Sequence, residues 1–300
     1  MVDLHVHSTA SDGSLSPSDV VDLAARGGLR AIALTDHDTT TGVPEARRAA
    51  DALGNTVEVI AGVELEADFD LGALHILGLG IDDLAGLENE LEEIRAERTR
   101  RNLAMLSRLG QLGIEASYTE LVSYADGGVI GRPHLAQLLV DRHVVSTYQE
   151  AFDRYLADGA AAHEPRTPPS IGRCIELIHE AGGKAIVAHP STLWLSSWTK
   201  VEGAFERWKR KGLDGVEAYH AGAERRYCRR YAAIAEGLDL LVTAGSDFHG
   251  RGGRLGRTCN DTTEIQDEVA TPFRAAARTA GRQDGPQPLA AGEESNSEGS

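Results

Sequence analysis

Six short apolar segments, each carrying a histidine or carboxylate at or near one end, constrain the fold of this chain more than any other feature. In the first, apolar residues alternate with Asp3, His5 and His7, which is the period of two expected for a β-strand. Because side chains two positions apart lie on the same face of a strand, His5 and His7 are predicted to be neighbours. The five later segments bring His37, Glu64, His75, His189, and the pair Asp247 and His249. The two histidines of a single His-x-His motif are usually ordinary residues with hydrogen-bond partners. Six apolar segments that each bring a histidine or carboxylate to one end indicate a common site.

Most of these segments alternate with helical patterns, which predicts an α/β fold whose parallel strands are joined by right-handed crossovers. Strands are predicted near residues 2–7, 31–35, 57–63, 74–79, 184–188, 215–219 and 240–244, about seven where a regular barrel has eight. The fourth strand follows a turn at 68–72 and carries His75 on the return. Residues 8–13 form another turn, which can fold Asp12 back over the first strand. Functional groups collect at the carboxyl ends of parallel strands, so these side chains are expected at one end of the barrel.

Between the fourth and fifth strands the chain lacks strand patterns and is predicted to be helical. The helix at 84–112 has an acidic first half and a basic second half, which suits a solvated helix. Alternatively, its arginines Arg98 and Arg101 turn toward the site and meet phosphate. Short helices are predicted near 118–125, 133–141 and 147–157. Arg132 precedes Pro133 at the start of one of them, where an arginine can bind an anion or be an ordinary surface residue.

The chain is therefore predicted to have three parts. Residues 1–97 and 166–280 form the barrel, and residues 98–165 form a small helical insertion domain over its mouth. Residues 281–300 consist mostly of small and polar residues with almost no large apolar side chain, so they are predicted to be a disordered tail.

Charge and cysteine content exclude several classes of protein. The formal net charge of −16 argues against a broad basic nucleic-acid surface, although bound divalent ions would focus positive charge in the cleft. Three cysteines, an odd number, imply no disulfide framework and fit a reducing cytoplasm. No run approaches the roughly 18 apolar residues of a membrane span. A ligand candidate at residue 5 leaves no room for a signal peptide before it. We predict a cytoplasmic location, no membrane contact and no obligate protein partner.

The candidate metal ligands are six imidazoles and three carboxylates, too many for one ion of four to six coordination. They are His5, His7, Asp12, His37, Glu64, His75, His189, Asp247 and His249. All offer nitrogen or oxygen donors and none is a thiolate, which favours Mn²⁺, with Fe²⁺ or Zn²⁺ as alternatives. Two to three divalent ions are therefore predicted.

The ordered motifs DLHVHSTASDG, LTDHD, GVELE with LHILG, AHP and GSDFHG resemble those of the PHP (polymerase and histidinol phosphatase) family over residues 2 to about 250. The GRPHLA element is most similar to the stand-alone branch of that family, which acts on nucleotide and oligonucleotide phosphates. The resemblance implies a distorted seven-stranded barrel. It also implies one ion held by His5, His7, Glu64 and Asp247, a second held by Glu64, His75 and His189, and a third held by Asp12, His37 and His249.

The same resemblance implies a metal-dependent phosphoesterase that uses a metal-bridging hydroxide. We expect a 3′,5′-nucleotide bisphosphate phosphatase, a 5′–3′ oligoribonucleotide exonuclease, or both. The residues expected to take part in catalysis are Asp12, His37, Glu64, Asp247 and His249. The residues expected to contact the substrate, a nucleotide phosphate or a short RNA or DNA 5′ end, are Arg98, Arg101, Arg132, His134 and His220.

Several alternatives stay open. An amide or lactone hydrolase on a related barrel would need a carbamylated lysine, but Lys184 lies at the wrong end of its strand. A non-catalytic PHP module would be expected to lack ligands, and a histidinol-phosphate phosphatase would apply the same chemistry to a smaller substrate. The loop 191–198 departs from the branch, and its two tryptophans, Trp194 and Trp198, could stack on a base or pack the loop against the barrel. Asp36 and Asp38 could each orient His37 or cap the turn that follows.

Overall fold

The computed structural model describes residues 1–124, 129–165, 168–250, 252–259 and 263–274, so the predicted tail lies outside the described residues. The main strands are β1 (Val2–Val6), β2 (Ala31–Leu34), β3 (Glu58–Ala67), β4 (Leu74–Leu79), β5 (Lys184–Val187), β6 (Gly215–His220) and β7 (Leu241–Gly245). The α-helices are α1 (Pro17–Arg26), α2 (Val43–Ala52), α3 (Leu84–Gln111), α4 (Tyr118–Tyr124), α5 (Arg132–Asp141), α6 (Tyr148–Ala151), α7 (Ile171–Glu180), α8 (Trp198–Lys209) and α9 (Arg225–Gly237). Shorter elements are a π-helical turn (Phe152–Leu156), two 3₁₀ segments (Pro190–Leu193 and Asp267–Phe273) and the antiparallel strand pair β8 (Arg257–Thr258) and β9 (Thr263–Glu264).

The seven main strands form one nearly closed barrel in the order β1 to β7, which confirms the predicted fold class. Strands β1, β2 and β3 pair in parallel, as do β5, β6 and β7. Between these two groups, β4 runs antiparallel to both neighbours. The remaining seam is bridged in parallel at Val6 and Phe248, where the His7 amide donates to the Phe248 carbonyl at 2.9 Å.

The direction of β4 decides where His75 lies. His75 is the second residue of its strand and pairs with Glu66, near the end of β3. Because β4 is reversed, its beginning lies at the same end of the barrel as the carboxyl ends of the other strands. In the preceding turn, a Cβ on Gly72 would lie 2.1 Å from the Thr192 carbonyl oxygen, so only glycine allows the turn to pack this closely against the segment after β5.

Apolar side chains fill both faces of the barrel wall. On the outside, residues such as Ile32 pack against the surrounding helices. On the inside, Leu4 and its neighbours pack against Phe273 of the second 3₁₀ segment. The amide of Val2 donates to the Ile265 carbonyl at 3.2 Å, so this part of the chain closes the barrel at the start of β1. The polar strand ends are therefore grouped at the opposite end.

The predicted insertion has an apolar cluster of its own. Met105 and Leu109 of α3 pack there with residues of α4, α5 and α6. Helix α3 is continuous through the predicted boundary at 97/98, and the division into domains stays a prediction. Neither α3 nor any other helix in the described ranges is both long enough and apolar enough to cross a membrane.

Local sequence explains where several helices begin. Ser16 accepts a hydrogen bond from the Asp19 amide at 3.1 Å, and Pro17 is the first residue of α1, as predicted. Ser170 caps α7 in the same way through the Arg173 amide at 3.2 Å. These caps fix the residues at which the two helices begin.

Candidate metal centre

The imidazoles of His5 and His7 meet at the end of β1, as the alternation predicts. Their Nε2 atoms are 3.1 Å apart, and both side chains are fully buried. Glu64 Oε2 lies 3.2 Å from His5 Nε2 and 3.1 Å from His7 Nε2. Asp247 Oδ1 lies 3.3 Å from each of the same two nitrogens. Residues from β1, β3 and the end of β7 thus point four donor atoms at one place.

These four atoms have the spacing of ligands around one ion. Five of the six distances among them fall between 3.1 and 3.3 Å. Two ligands about 2.0–2.1 Å from a shared centre are separated by about 3.0 Å at a right angle and about 3.4 Å at a tetrahedral angle. Two imidazole nitrogens facing each other can share only one proton, whereas a cation between the four atoms would satisfy all of them. The residues therefore fit a divalent ion as they stand.

The second oxygen of Glu64 faces a different pair of histidines. Oε1 lies 2.8 Å from His75 Nδ1 and 3.0 Å from His189 Nε2. One carboxylate thus turns each of its oxygens to a separate set of imidazoles, which is the arrangement of a bridging ligand. His37 lies beside this bridge, with its Nε2 3.4 Å from Glu64 Oε2. Its Nδ1 is buried and has no hydrogen-bond partner in the part of the chain that the structure describes.

Asp12 provides a third meeting point. Its Oδ1 lies 3.3 Å from His249 Nε2 and 3.6 Å from His7 Nδ1, and its Oδ2 lies 3.9 Å from His37 Nε2. The rings of His7 and His249 are stacked with centroids 4.1 Å apart. The turn after β1 does fold back over the strand end, as its composition predicts.

All nine candidate ligands therefore belong to one cluster. Three overlapping groups have ligand atoms within 4.8 Å of one another: His5, His7, Glu64 and Asp247; His7, Asp12, His37 and His249; and His37, Glu64 and His75. His189 joins them through its contact with Glu64. The grouping differs from the one implied by the family in that His7 and His37 each border two groups.

The metal-free cluster is strongly charged. Burial lowers the pKa of His7, but Asp247 and Glu64 outweigh this effect and raise the pKa to about 10. Conversely, burial raises the pKa values of Glu64 and Asp247, but the surrounding histidines hold both well below their usual range. Protons on the imidazoles must leave before those nitrogens can bind a cation.

Glu217, in β6, is a functional candidate that the sequence reasoning missed. Its Oε1 pairs with His5 Nδ1 at 3.0 Å, and its Oε2 accepts from the His189 backbone amide at 2.8 Å. The carboxylate favours a proton on Nδ1 of His5, which directs Nε2 of that ring into the cluster. The available signal was a glutamate inside an otherwise apolar strand that is buried along its length.

Asp36 supports the turn that carries Asp12. Its carboxylate accepts from the Ser8 amide at 2.8 Å, the Ser8 hydroxyl at 2.8 Å and the Ser11 hydroxyl at 2.6 Å. These bonds hold the turn after β1, which is neither of the two roles considered for Asp36. Ser8 and Ser11 are accordingly turn residues.

Asp3 is another buried carboxylate that the sequence reasoning gave no role. It accepts from the Ser246 amide at 2.9 Å and from the Gly256 amide at 2.7 Å. These bonds tie the start of β1 to the segment that carries Asp247. Asp3 therefore helps to set the position of that ligand candidate.

Three predicted substrate contacts line a cavity of about 200 Å³ together with His37 and His75. They are Arg98, Arg101 and Arg132. The cavity lies between the barrel mouth and the insertion, so a phosphate in it would be near the cluster.

These arginines differ in how firmly the protein engages them. Arg98 is 12% exposed and pairs with the Asp38 carboxylate. Arg101 Nε donates to the Glu164 carbonyl at 2.9 Å. Arg132 lies 3.3 Å from Asp158, whose side chain is 87% exposed, and such an exposed pair is weak. Arg132 is therefore the arginine that can most easily exchange its partner for a ligand.

The two predicted histidine contacts have separate surroundings. His134 Nδ1 accepts from the Gly131 amide at 3.0 Å, which leaves its ring proton on Nε2. His134 lines a second cavity, of about 360 Å³, with Asp12 and His249. His220 is buried with its Nε2 3.3 Å from Ser191 Oγ, and burial lowers its pKa to about 4. This places His220 beneath the segment after His189.

The chain is similar to several known proteins. The profile of the PHP domain family matches residues 3–158. A 5′-3′ exoribonuclease of Haemophilus influenzae is 38% identical over 82% of this chain and 89% of its own length. A 3′,5′-nucleoside bisphosphate phosphatase of Chromobacterium violaceum is 34% identical over 84% of this chain and 89% of its own length. A solved structure from Bifidobacterium adolescentis, described as a proposed metal-dependent phosphoesterase, superposes with a TM-score of 0.79 at 30% identity, covering 91% of this chain and 94% of that one.

Proposed function

This chain belongs to the PHP domain family, and from that premise we propose that it cuts the bond between a 3′ oxygen and a phosphate in nucleotides that carry a second, 5′-phosphate. It is a metal-dependent phosphoester hydrolase. The finer proposal rests on one observation: Arg132 and Arg101 line the same cavity as His37 and His75.

We assign the nine clustered residues to two or three divalent ions, with Mn²⁺ the best fit to nitrogen and oxygen donors. The first group is His5, His7, Glu64 and Asp247, and Glu64 links it to His75 and His189. Asp12, His37 and His249, which lie in one group with His7, would hold the third ion. Ions held there supply Lewis-acid chemistry, which activates water and neutralises charge on the phosphate oxygens.

The proposed bond accounts for the names of both relatives. Water attacks phosphorus, the bond from phosphorus to the 3′ oxygen breaks, and that oxygen takes up a proton. A nucleoside 3′,5′-bisphosphate would give a 5′-nucleotide and inorganic phosphate. RNA would give a 5′-nucleotide and a shortened strand that begins with a 5′-phosphate. The shortened strand carries the same recognition group as the original substrate.

Arg132 would hold the 5′-phosphate that is not cut. Its guanidinium can form two parallel hydrogen bonds to a phosphate, and the weak pair with Asp158 costs little to exchange. Arg101 lines the same cavity, whereas Arg98 is already paired with Asp38 and would shape the cavity wall.

His134 would donate the proton to the leaving oxygen. The Gly131 amide occupies its Nδ1, so a neutral ring carries its proton on Nε2. The ring lines a cavity with Asp12 and His249, next to the proposed third group. The protein thus fixes both the tautomer and the position of the donor.

Two substrates that differ only in the 5′-phosphate test the proposal. Arg132→Ala should lower kcat/KM for adenosine 3′,5′-bisphosphate by about 10- to 100-fold, the worth of a charged hydrogen-bonded pair. The same change should alter kcat/KM for adenosine 3′-monophosphate by less than about threefold. Arg210→Ala, which removes an exposed arginine paired only with the exposed Glu206 among the contacts described, is the matched control and should leave both values unchanged. Equal losses on both substrates, or no loss on either, would overturn the assignment of Arg132.

A further inference from the structure

A basic and aromatic surface lies on the first half of α9. The sequence there reads Arg225-Arg226-Tyr227-Cys228-Arg229-Arg230-Tyr231, and its four arginines are exposed. Glu224 precedes them as the helix cap residue and pairs with Arg226 at 3.0 Å. Four arginines against one glutamate form a local positive field on a chain whose net charge is −16.

Aromatic rings are interleaved with these arginines. The ring of Trp198, at the start of α8, lies 6.0 Å from that of Tyr227 and 5.2 Å from that of Tyr231. The guanidinium of Arg226 lies 4.7 Å from the Tyr227 ring centre, and that of Arg230 lies 5.9 Å from the Trp198 ring centre. Trp198 thus packs the loop against α9, one of the two roles considered for the tryptophans.

Trp194 behaves differently from Trp198. Its side chain is 76% exposed, although the preceding Leu193 is buried. Its backbone has a φ of +49°, in the left-handed region that a tryptophan rarely adopts. A strained backbone that presents a large apolar ring to solvent suits a contact with a ligand. We call Trp194, Trp198 and residues 225–230 the arginine–aromatic surface.

This surface lies across the barrel mouth from the proposed 5′-phosphate site. Arg98, on the wall of that site, contacts Asp38 after β2 and Glu66 in β3. Helix α9 follows β6, which is three strands from β3 in one direction and three from β2 in the other. The metal-ligand cluster lies between the two sides, because His189 precedes the Trp194 segment and His75 lines the Arg132 cavity.

We infer that the arginine–aromatic surface binds the downstream part of a single-stranded RNA whose 5′-phosphate lies in the Arg132 cavity. The inference rests on the proposed function and extends it from mononucleotides to strands. Guanidinium groups would contact successive phosphates, and the exposed rings of Trp194 and Tyr227 would stack on bases. Rings interleaved with arginines favour unpaired bases over a duplex, whose bases are already stacked.

The test compares a strand with a mononucleotide. Trp194→Ala should lower kcat/KM for a 5′-phosphorylated RNA 10-mer by at least about fivefold, the smallest loss expected for one stacked base. The double variant Arg225→Gln with Arg229→Gln should also lower kcat/KM for the 10-mer. It should reduce the slope of log kcat/KM against log salt concentration by about 1.4, because each phosphate contact on a single strand contributes about 0.7. Hydrolysis of adenosine 3′,5′-bisphosphate should stay within about twofold of wild type for both variants.

The matched control is Arg47→Gln with Arg48→Gln, two exposed arginines on α2, which should leave both substrates unaffected. Equal effects on the 10-mer and the bisphosphate, or an unchanged salt slope, would overturn the inference.

A binding measurement separates this inference from the proposed function. Fluorescence anisotropy with the metal-loaded protein and a labelled phosphorothioate 10-mer lacking a 5′-phosphate should show weaker binding to both variants than to wild type. Such a loss supports RNA binding by the arginine–aromatic surface even if no nucleotide is hydrolysed. If bisphosphate hydrolysis is normal and all the proteins bind the 10-mer equally, the RNA-binding inference is wrong and the proposed function is unaffected. If the variants lose binding to phosphatidylserine vesicles and not to the 10-mer, the ligand is not RNA and the inference is wrong.

Discussion

Replacing Glu217 by glutamine should weaken metal binding without changing any proposed ligand. The Glu217 carboxylate is fully buried and faces two donors, His5 Nδ1 at 3.0 Å and the His189 backbone amide at 2.8 Å. Glutamine offers one acceptor oxygen and one amino group. If the oxygen faces His5, the amino group meets the N–H of His189. If the side chain is turned the other way, its amino group faces His5 Nδ1. That contact favours a proton on Nε2, the atom that would bind the cation.

The expected size follows from that mismatch. A buried donor left without a partner costs about 1–3 kcal/mol, which corresponds to about 5- to 150-fold in an equilibrium constant. Residues that orient metal ligands from behind usually change metal affinity by about 10- to 100-fold when mutated. We therefore expect Glu217→Gln to raise the dissociation constant for Mn²⁺ by about 10- to 100-fold.

Competition with a calibrated chelator measures that constant directly. Activity at limiting Mn²⁺ should fall with the affinity and recover at saturating Mn²⁺, because the ligands themselves are intact. Glu202→Gln, an exposed glutamate on α8, makes the same chemical change away from the cluster and should have no effect. A folded Glu217→Gln protein that binds Mn²⁺ within about twofold of wild type would refute the reasoning.

Further predictions concern the cluster as a whole. Elemental analysis after reconstitution with Mn²⁺ should find at least two ions per chain, and one or none would contradict the shared role of Glu64. Glu64→Gln and Asp247→Asn should each lower kcat by more than about 100-fold while the circular dichroism spectrum stays unchanged, and either variant retaining a tenth of the activity would show that the centre is misassigned. In the metal-free protein the pKa of His7 is raised to about 10, so a proton on His7 stabilises the folded state. This stabilisation is complete below pH 6.5 and is lost as the pH rises through about 10. Because a metal-bound His7 lacks that proton, the rise in Tm caused by Mn²⁺ should increase from pH 6 to pH 8 by differential scanning fluorimetry, and a constant or decreasing effect would contradict the assignment.

The nine clustered residues could be predicted because each lies at or near a strand end, a local feature that the topology then brings together. The direction of β4 was likewise implied by the turn at 68–72, which returns the chain with His75 at its beginning. Glu217 could not be assigned in this way, since its role depends on His5, which is 212 positions away in the sequence. The same limit applies to Arg98, whose contact with Asp38 joins two separate elements.

Insertion residues are harder to assign because helical periodicity says which face is apolar and not what that face covers. Arg132 and His134 were recognised from a helix start. Their different surroundings appear only in the structure, where Asp158 faces Arg132 and the Gly131 amide faces His134. A hydrogen bond to the backbone fixes a tautomer, and no sequence pattern reports it.

The two proposals together give the direction in which a strand would move. The 5′-phosphate is held on the β2–β3 side of the mouth, the bond is cut at the cluster, and the downstream strand lies on the β6 side. Breaking the bond to the 3′ oxygen leaves the new 5′-phosphate on the downstream strand, beside the cluster and one nucleotide short of Arg132. Release of the 5′-nucleotide empties the Arg132 cavity, so the shortened strand can advance by one residue and place its phosphate there. Contacts that recognise one particular base would oppose this advance. Stacking and phosphate contacts would not, because they tolerate any sequence. The exposed arginines of α9 and the exposed rings of Trp194 and Tyr227 offer contacts of this tolerant kind. They therefore suit a strand that must slide between cuts.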